Sequence, residues 1–293
     1  MISVITATFN RGFIIKTLYM SLRKQTHKDF EWIVIDDGSE DNTACLFEEW
    51  VKNEDLFKIS YTYTQNGGKH RAINKAVKKA QYEYCFIVDS DDYLKKNAIE
   101  IIHEWIQTIE KKVEFAGVSG LRVYPDGEII GDYPQLLSGR NYIDAKNLER
   151  RQYHLMGDKA EVYKTELLLK YPFPEFPGEK FLSEDVIWNK LSLEGYKIRW
   201  FNQPIYICQY LKGGLTKDKK KEIENFIGFT ESMKLKIYHW QFPYNYISFS
   251  SYYIVARKKS LSDKEISNLL GLSLKKVKTI KVLSFIRKIT SKI

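Results

Sequence analysis

Three cysteines in 293 residues, Cys45, Cys85 and Cys208, are too few and too scattered for a disulfide framework, and they form no CxxC pair. Cys85 and Cys208 sit inside apolar runs, where a small buried thiol is the expected state, so neither redox nor thiolate-metal chemistry is indicated. Also missing is any stretch approaching the roughly 20 apolar residues that cross a bilayer. Met1 leads straight into "ISVITATF", with no basic segment and no small-residue cleavage site; this start reads as a first strand rather than a signal peptide and implies a cytoplasmic chain. No GxGxxG accompanies that strand, which disfavours an NAD-dependent enzyme. A nucleotidyltransferase would want a Gly-rich, basic phosphate loop in the same place, and "ATFNRGF" is not one.

What is present is ordinary globular material, 44% hydrophobic and 28% charged, in a chain long enough to bury a substantial core. The charge is unevenly distributed. From Lys217 onward there are 17 Lys and Arg against 6 Asp and Glu, so the +9 of the whole chain resides in the tail and the first 216 residues carry −2.

The first 115 residues alternate short apolar runs with helical periodicity. "ISVITATF", "FEWIVID", "FKISYTYT" and "YCFIV" read as strands. Between and after them, apolar residues recur at helical spacing through Ile14, Leu18 and Leu22, through Ala72, Ile73, Ala76 and Val77, and through Ile99, Ile102 and Ile106. Strands joined by helical crossovers predict an α/β fold with a mostly parallel sheet flanked by helices. Ligands of such sheets bind beyond the carboxyl ends of the strands. The residues there are Thr8, Phe9, Asn10 and Arg11, then Asp36, Asp37, Gly38 and Ser39, then "QNGGKHR", then "DSDD".

Asp89, Asp91 and Asp92 lie within four positions at the last of these tips. Carboxylates so close raise each other's pKa unless a cation offsets them, and Mg²⁺ or Mn²⁺ binds one or two carboxylates together with phosphate oxygens. The cluster therefore reads as a metal-diphosphate site. The alternative is that these acids cap a helix beginning near Leu94.

The stretches "ISVITATFNRG", "SLRKQTHKDFEWIVIDDGSEDNT", "NGGKHRAIN", "FIVDSDDYL" and "FLSEDVIWNKL", in this order, resemble the family 2 glycosyltransferases of GT-A type, inverting enzymes that use nucleotide sugars in bacterial surface-polysaccharide assembly. The resemblance covers roughly residues 1 to 215. It implies a nucleotide site of Thr8, Phe9, Asn10, Asp37, Gly68, Lys69, Arg71, Asp89 and Ser90, with Asp37 on the base and Lys69 or Arg71 toward the diphosphate. Asp91, with Asp89, would bind Mn²⁺ or Mg²⁺, and Asp92 is a secondary candidate for the site that could instead hold the loop. Asp185 of the "ED" pair would deprotonate the acceptor hydroxyl, with Glu184 as its structural companion. The apolar neighbours Phe181, Leu182, Ile187 and Trp188 lead us to expect a raised Asp185 pKa, suited to a general base. Lys212 and Thr216 are candidates for a segment closing over the diphosphate; a plain linker is the other reading.

The implied division is a catalytic domain over 1–221, with a nucleotide half at about 1–115 and an acceptor half at about 116–221, followed by a helical basic region over 222–293. In that region Val277, Ile280, Leu283, Ile286 and Ile289 recur at i+3 among Lys275, Lys276, Lys278, Lys281, Arg287 and Lys288. Such a helix suits peripheral docking on an anionic membrane at its inner face, or packing on the catalytic domain or on a second copy in a homo-oligomer. Nucleic acid is not an expected partner, for no binding motif accompanies the charge. The expected partners are a nucleotide-sugar donor, most readily a UDP-sugar, and a glycan or lipid-linked saccharide acceptor. A non-catalytic nucleotide-sugar or glycan-binding module of the same fold is the rival, disfavoured by the joint presence of the acid cluster and the "ED" pair.

Overall fold

A computed structural model describes residues 1–134, 136, 139–209 and 220–281. The chain divides into two compact units, one of Met1–Phe173 with Ile187–Lys212, the other of Pro174–Val186 with Gly213–Ile293.

The first unit is built on a nine-stranded sheet. Its strands are β1 (Ile2–Thr8), β2 (Phe30–Asp36), β3 (Lys58–Tyr63), β4 (Tyr84–Ile87), β5 (Tyr93–Leu94), β6 (Phe115–Val123), β7 (Tyr142–Ala145), β8 (Lys159–Lys164) and β9 (Lys197–Ile207). They lie in the order β3-β2-β1-β4-β8-β6-β9-β5, with β7 also on β9. Six strands run one way; β5, β7 and β8 pair antiparallel with their neighbours. The mixed, largely parallel α/β sheet expected from the sequence is thus present.

β1, β2 and β4 are buried almost throughout, as expected of parallel strands covered on both faces. Helix α1 (Ile15–Arg23) buries Ile15, Leu18, Tyr19 and Leu22, and α2 (Thr43–Asn53) buries Phe47 and Trp50 around the fully buried Trp32 of β2. Helix α3 (Lys69–Val77) connects β3 to β4, and α4 (Ala98–Gln107) leads into β6. A short α5 (Thr165–Lys170) follows β8. The chain after the acid cluster forms β5, not a helix, and α4 is preceded by Asn97 with no side-chain cap. The acids are therefore not the cap of a helix near Leu94.

In the second unit, helices α7 (Lys221–Glu224), α8 (Phe226–His239), α9 (Tyr244–Lys258) and α10 (Asp263–Leu270) and a further helix over 274–281 enclose their own core, including Phe226, Phe249, Tyr252, Ile266, Leu270, Val277 and Ile280. Ser262 and Glu265 form a reciprocal capping box at the start of α10. Val277 and Ile280, the first two positions of the apolar stripe, are buried in this core, while Lys275, Lys276 and Lys278 face solvent. Leu283, Ile286, Arg287, Lys288 and Ile289 lie outside the described residues. Among the described residues no helix is long and apolar enough to cross a membrane.

The boundary differs from the one drawn on composition. Residues 174–186 belong with the C-terminal helices because Asn225 and Glu179 tie that loop to α8. Helix α6 (Asp185–Leu193) begins at the end of this loop.

Candidate active site

At the carboxyl edge of β1 and β2, Thr8 pairs with Asp36 and the Asp37 amide donates to the Thr8 carbonyl at 2.8 Å. Two turns are laced together here. The Asn10 amide donates to Ser39 Oγ and Asn10 Oδ1 accepts from the Glu40 amide, both at 2.8 Å, which holds Asn10 in a left-handed conformation at φ 51°. Phe9, next to it, is exposed. Thr8 is buried, and its Oγ1 finds no hydrogen-bond partner among the described residues.

Asp37 is buried and serves the glycine loop. Its Oδ1 accepts from the Gly67 amide at 2.8 Å, and its Oδ2 from the Gly68 amide at 2.7 Å and from Asn66 Nδ2 at 3.1 Å. Gly68 has φ 100°, a conformation that suits glycine, and from it the chain enters α3 with Lys69 as the first helical residue. The Arg71 guanidinium donates from Nη1 to the Gly67 carbonyl at 2.6 Å. Lys69 reaches across to Asp89 and Arg71 turns back on its own loop, which Asp37 holds.

The acid cluster is held by cations. Asp89 is ion-paired through one oxygen with Lys69 and through the other with Arg122 Nη1 at 3.2 Å. Burial pushes the Asp89 carboxyl up, but Lys69 and then Arg122 outweigh it and hold the group well below the usual carboxylate range. Asp91 behaves oppositely: burial and the Asp89 charge raise it, against a weaker pull from Arg11, whose Nε lies 3.7 Å away. Asp92 is buried and lifted to about 6 by burial and by Asp89. It holds the loop, accepting from Tyr206 Oη at 2.9 Å and from the Gln209 amide at 2.8 Å. Ser90 is buried between the acids.

With regard to a divalent ion, Asp89 is ion-paired with Lys69 and Arg122. Asp91 is the carboxylate available. Among the described residues no group of three or more His, Cys, Asp or Glu side chains forms a metal cage. One carboxylate completed by phosphate oxygens and water is a donor set that suits Mg²⁺ or Mn²⁺, so the residues fit an ion that arrives with a diphosphate.

Arg122 and Tyr206 escaped the sequence reading. Arg122 comes from β6, whose nine residues are all buried, and stacks over the Tyr206 ring with its Cζ 4.1 Å from the centroid. Its Nε donates to the Lys159 carbonyl at 2.8 Å. A lone Arg in an otherwise neutral buried strand requires an acidic partner, and that was the available signal.

Asp185 belongs to the second unit, where its Oδ2 lies 2.6 Å from Lys236 Nζ and both carboxylate oxygens accept from Ser232 Oγ at 3.1 Å. The expected rise of its pKa is reversed. Burial raises it, as expected from the apolar neighbours, but the Lys236 ammonium and hydrogen bonds from Ser183 and Ser232 outweigh burial and keep the carboxyl ionised. Glu184 is half-buried beside it. Lys212 and Thr216 lie outside the described residues.

Comparison with known proteins gives this geometry its family. The chain is 24% identical to glycosyltransferase GlyG of Streptococcus pneumoniae serotype 4 over 224 residues, covering 73% of this chain and 72% of that protein. It is 30% identical to the poly(ribitol-phosphate) beta-N-acetylglucosaminyltransferase TarS of Staphylococcus aureus over 210 residues, 70% of this chain but only 34% of TarS. The crystal structure of TarS residues 1–349 in complex with UDP-GlcNAc has the same fold, with a TM-score of 0.61, 23% identity, and coverage of 92% of this chain and 75% of that one. The sequence model described as Glycosyl transferase family 2 matches residues 3–168, more than half of the chain and the whole of the strand-tip site, so this protein belongs to that family and is a glycosyltransferase.

Proposed function

We propose that this enzyme transfers a sugar from a nucleotide-sugar donor, a UDP-sugar, to a hydroxyl of a growing bacterial surface glycan, with inversion at the anomeric carbon. The observation that carries the reading is the convergence at one sheet edge of the orphaned Thr8 hydroxyl, the Gly68–Lys69 entry to α3 and the Asp89–Asp91 cluster, inside the matched family region. The TarS relative and the UDP-GlcNAc complex of its fold support the choice of uridine nucleotide and of a polymer acceptor.

In this reading Thr8, Phe9, Asn10 and the Asp37-held glycine loop receive the nucleoside. Lys69 and Arg71 at the start of α3 lie toward the diphosphate, where the helix N-terminus adds positive potential. Asp91 would hold a divalent ion, which would supply charge neutralisation for the departing diphosphate. Arg122 and Lys69 pin Asp89 so that the loop keeps its shape. Asp185 accepts the acceptor's hydroxyl proton as that oxygen bonds the anomeric carbon; the bond from that carbon to the phosphate oxygen breaks and its electron pair leaves with the nucleotide. One displacement gives inversion.

For the C-terminal helices, the burial of Val277 and Ile280 favours a packing role over insertion in a membrane surface. A donor screen by release of free nucleotide from UDP-, GDP- and dTDP-sugars tests the main reading. Preferential release of UDP is expected; release confined to GDP or dTDP would overturn the uridine assignment.

A further inference from the structure

The loop that carries Asp185 is held along its length by one helix. Glu179 accepts from the Ile227 and Gly228 amides at 2.6 and 2.8 Å, placing a carboxylate at the amino end of α8, where the helix dipole favours it. Asn225 Oδ1 accepts from the Lys180 and Phe181 amides at 2.7 and 2.9 Å. Gly228 lets the loop come close: a Cβ there would lie 2.8 Å from Leu182 Cδ1. Ser232 and Lys236 follow Gly228 at successive i+4 steps, so all three share a face of α8, and the last two meet the Asp185 carboxylate. The Asp185 and Lys236 side chains are only 22% and 19% exposed, so the pair is partly shielded from water and its attraction is less screened than on the open surface.

We propose that α8 is the positioning element of the catalytic base, with Lys236 as the positioning residue that aims Asp185 and fixes its charge, so that the basic C-terminal region is part of the transfer machinery. This rests on the assignment of Asp185 as the base. Without a cation, burial would push the Asp185 carboxyl up and favour its protonated form, which cannot accept the acceptor's proton. Lys236 prevents that, and Ser232, donating to both oxygens, limits rotation of the group. Among the described residues the groups facing Asp185 are the Lys236 ammonium and the Ser232 hydroxyl from α8 and the Ser183 hydroxyl from its own loop.

The test is the pH profile of nucleotide release from the donor identified by the screen, with water as the acceptor probe and with donor and Mn²⁺ saturating so that titration of the diphosphate site is complete. Lys236→Met should move the acid limb upward by about one to three pH units, whereas Lys236→Arg should leave it in place. Ser232→Ala, a milder change, should move it the same way by less, and serves if Lys236→Met does not fold. An unmoved limb in Lys236→Met, or in Ser232→Ala where Lys236→Met does not fold, overturns the proposal. Asp185→Asn separates the two levels. Full turnover in that variant removes Asp185 as the base, while an inactive Asp185→Asn with an unmoved limb in Lys236→Met removes only the role of α8.

Discussion

The Tyr206 hydroxyl joins Asp89 to Asp92: it accepts from the Asp89 amide and donates to the Asp92 carboxylate, each at 2.9 Å. A residue from β9 thereby fixes the turn that presents Asp91, while Arg122, stacked on the same ring, joins Lys69 in keeping the half-buried Asp89 ionised.

Removing Arg122 should be more damaging than removing the hydroxyl. Arg122→Leu leaves the half-buried Asp89 with Lys69 as its remaining cation and orphans the Lys159 carbonyl, and should destabilise the fold by about 2–4 kcal/mol, below the full range for an uncompensated buried charge. Tyr206→Phe should cost about 1–3 kcal/mol, the range for leaving a buried group unsatisfied. Urea denaturation of the two variants would measure both; equal stability with the parent would show the network to be dispensable.

Stability should respond to pH in opposite senses at the two acids. The Asp92 carboxyl is lifted from 3.8 to about 6, so between these values the folded chain holds that proton more tightly than the unfolded chain. Its contribution is fully present at low pH and fades as pH rises through about 6. Asp89, held low by Lys69 and Arg122, contributes above the ordinary carboxylate value and loses that contribution as acid protonates it. In metal-free buffer, Asp92→Asn should therefore abolish the part of the decline that lies between about pH 4 and 6. Parallel stability curves for variant and parent across that interval would contradict the assignment.

Transfer should depend on a divalent ion through Asp91. EDTA should abolish nucleotide release and Mn²⁺ or Mg²⁺ should restore it, with Asp91→Asn poorly rescued. Undiminished turnover in EDTA would remove the metal from the mechanism.

The helix over 274–281 should behave as a core element. Val277→Asp introduces a charge beside Tyr252 and Ile280 in a closed apolar cluster and should lower the melting temperature of the chain. Joint replacement of Lys275, Lys276 and Lys278 by Glu should change it little. Co-sedimentation with anionic vesicles that vanishes in the triple variant would restore the membrane reading.

Much of the first unit was legible in its sequence because buried parallel strands announce themselves: in "FEWIVID" the run Trp32–Ile35 is apolar until it reaches Asp36, and the polar tip follows at once. The acid cluster was visible for the same reason. Arg122 was not, since its partners Asp89 and Asp92 lie about thirty residues away and only the β4-β8-β6 pairing brings them within reach. The direction of the Asp185 shift failed on a similar point. Leu182, Ile187 and Trp188 adjoin it in sequence and are buried as expected, but the cation that outweighs them stands on α8, about fifty residues further along the chain. Composition reports what a segment can pair with, and only the fold reports what it meets.

The grip of α8 on the loop around Asp185 bears on how such chains can be cut and recombined. The family match ends at residue 168, before Glu179, Asn225, Ser232 and Lys236. A fragment trimmed to that boundary keeps the strand-tip acids but loses the proposed base Asp185 together with Ser232 and Lys236, which restrain it. Chimeras exchanging acceptor preference between relatives should therefore carry 174–186 and α8 together as one cassette, because a junction between them would separate Glu179, Lys180 and Asp185 from the groups that bind them.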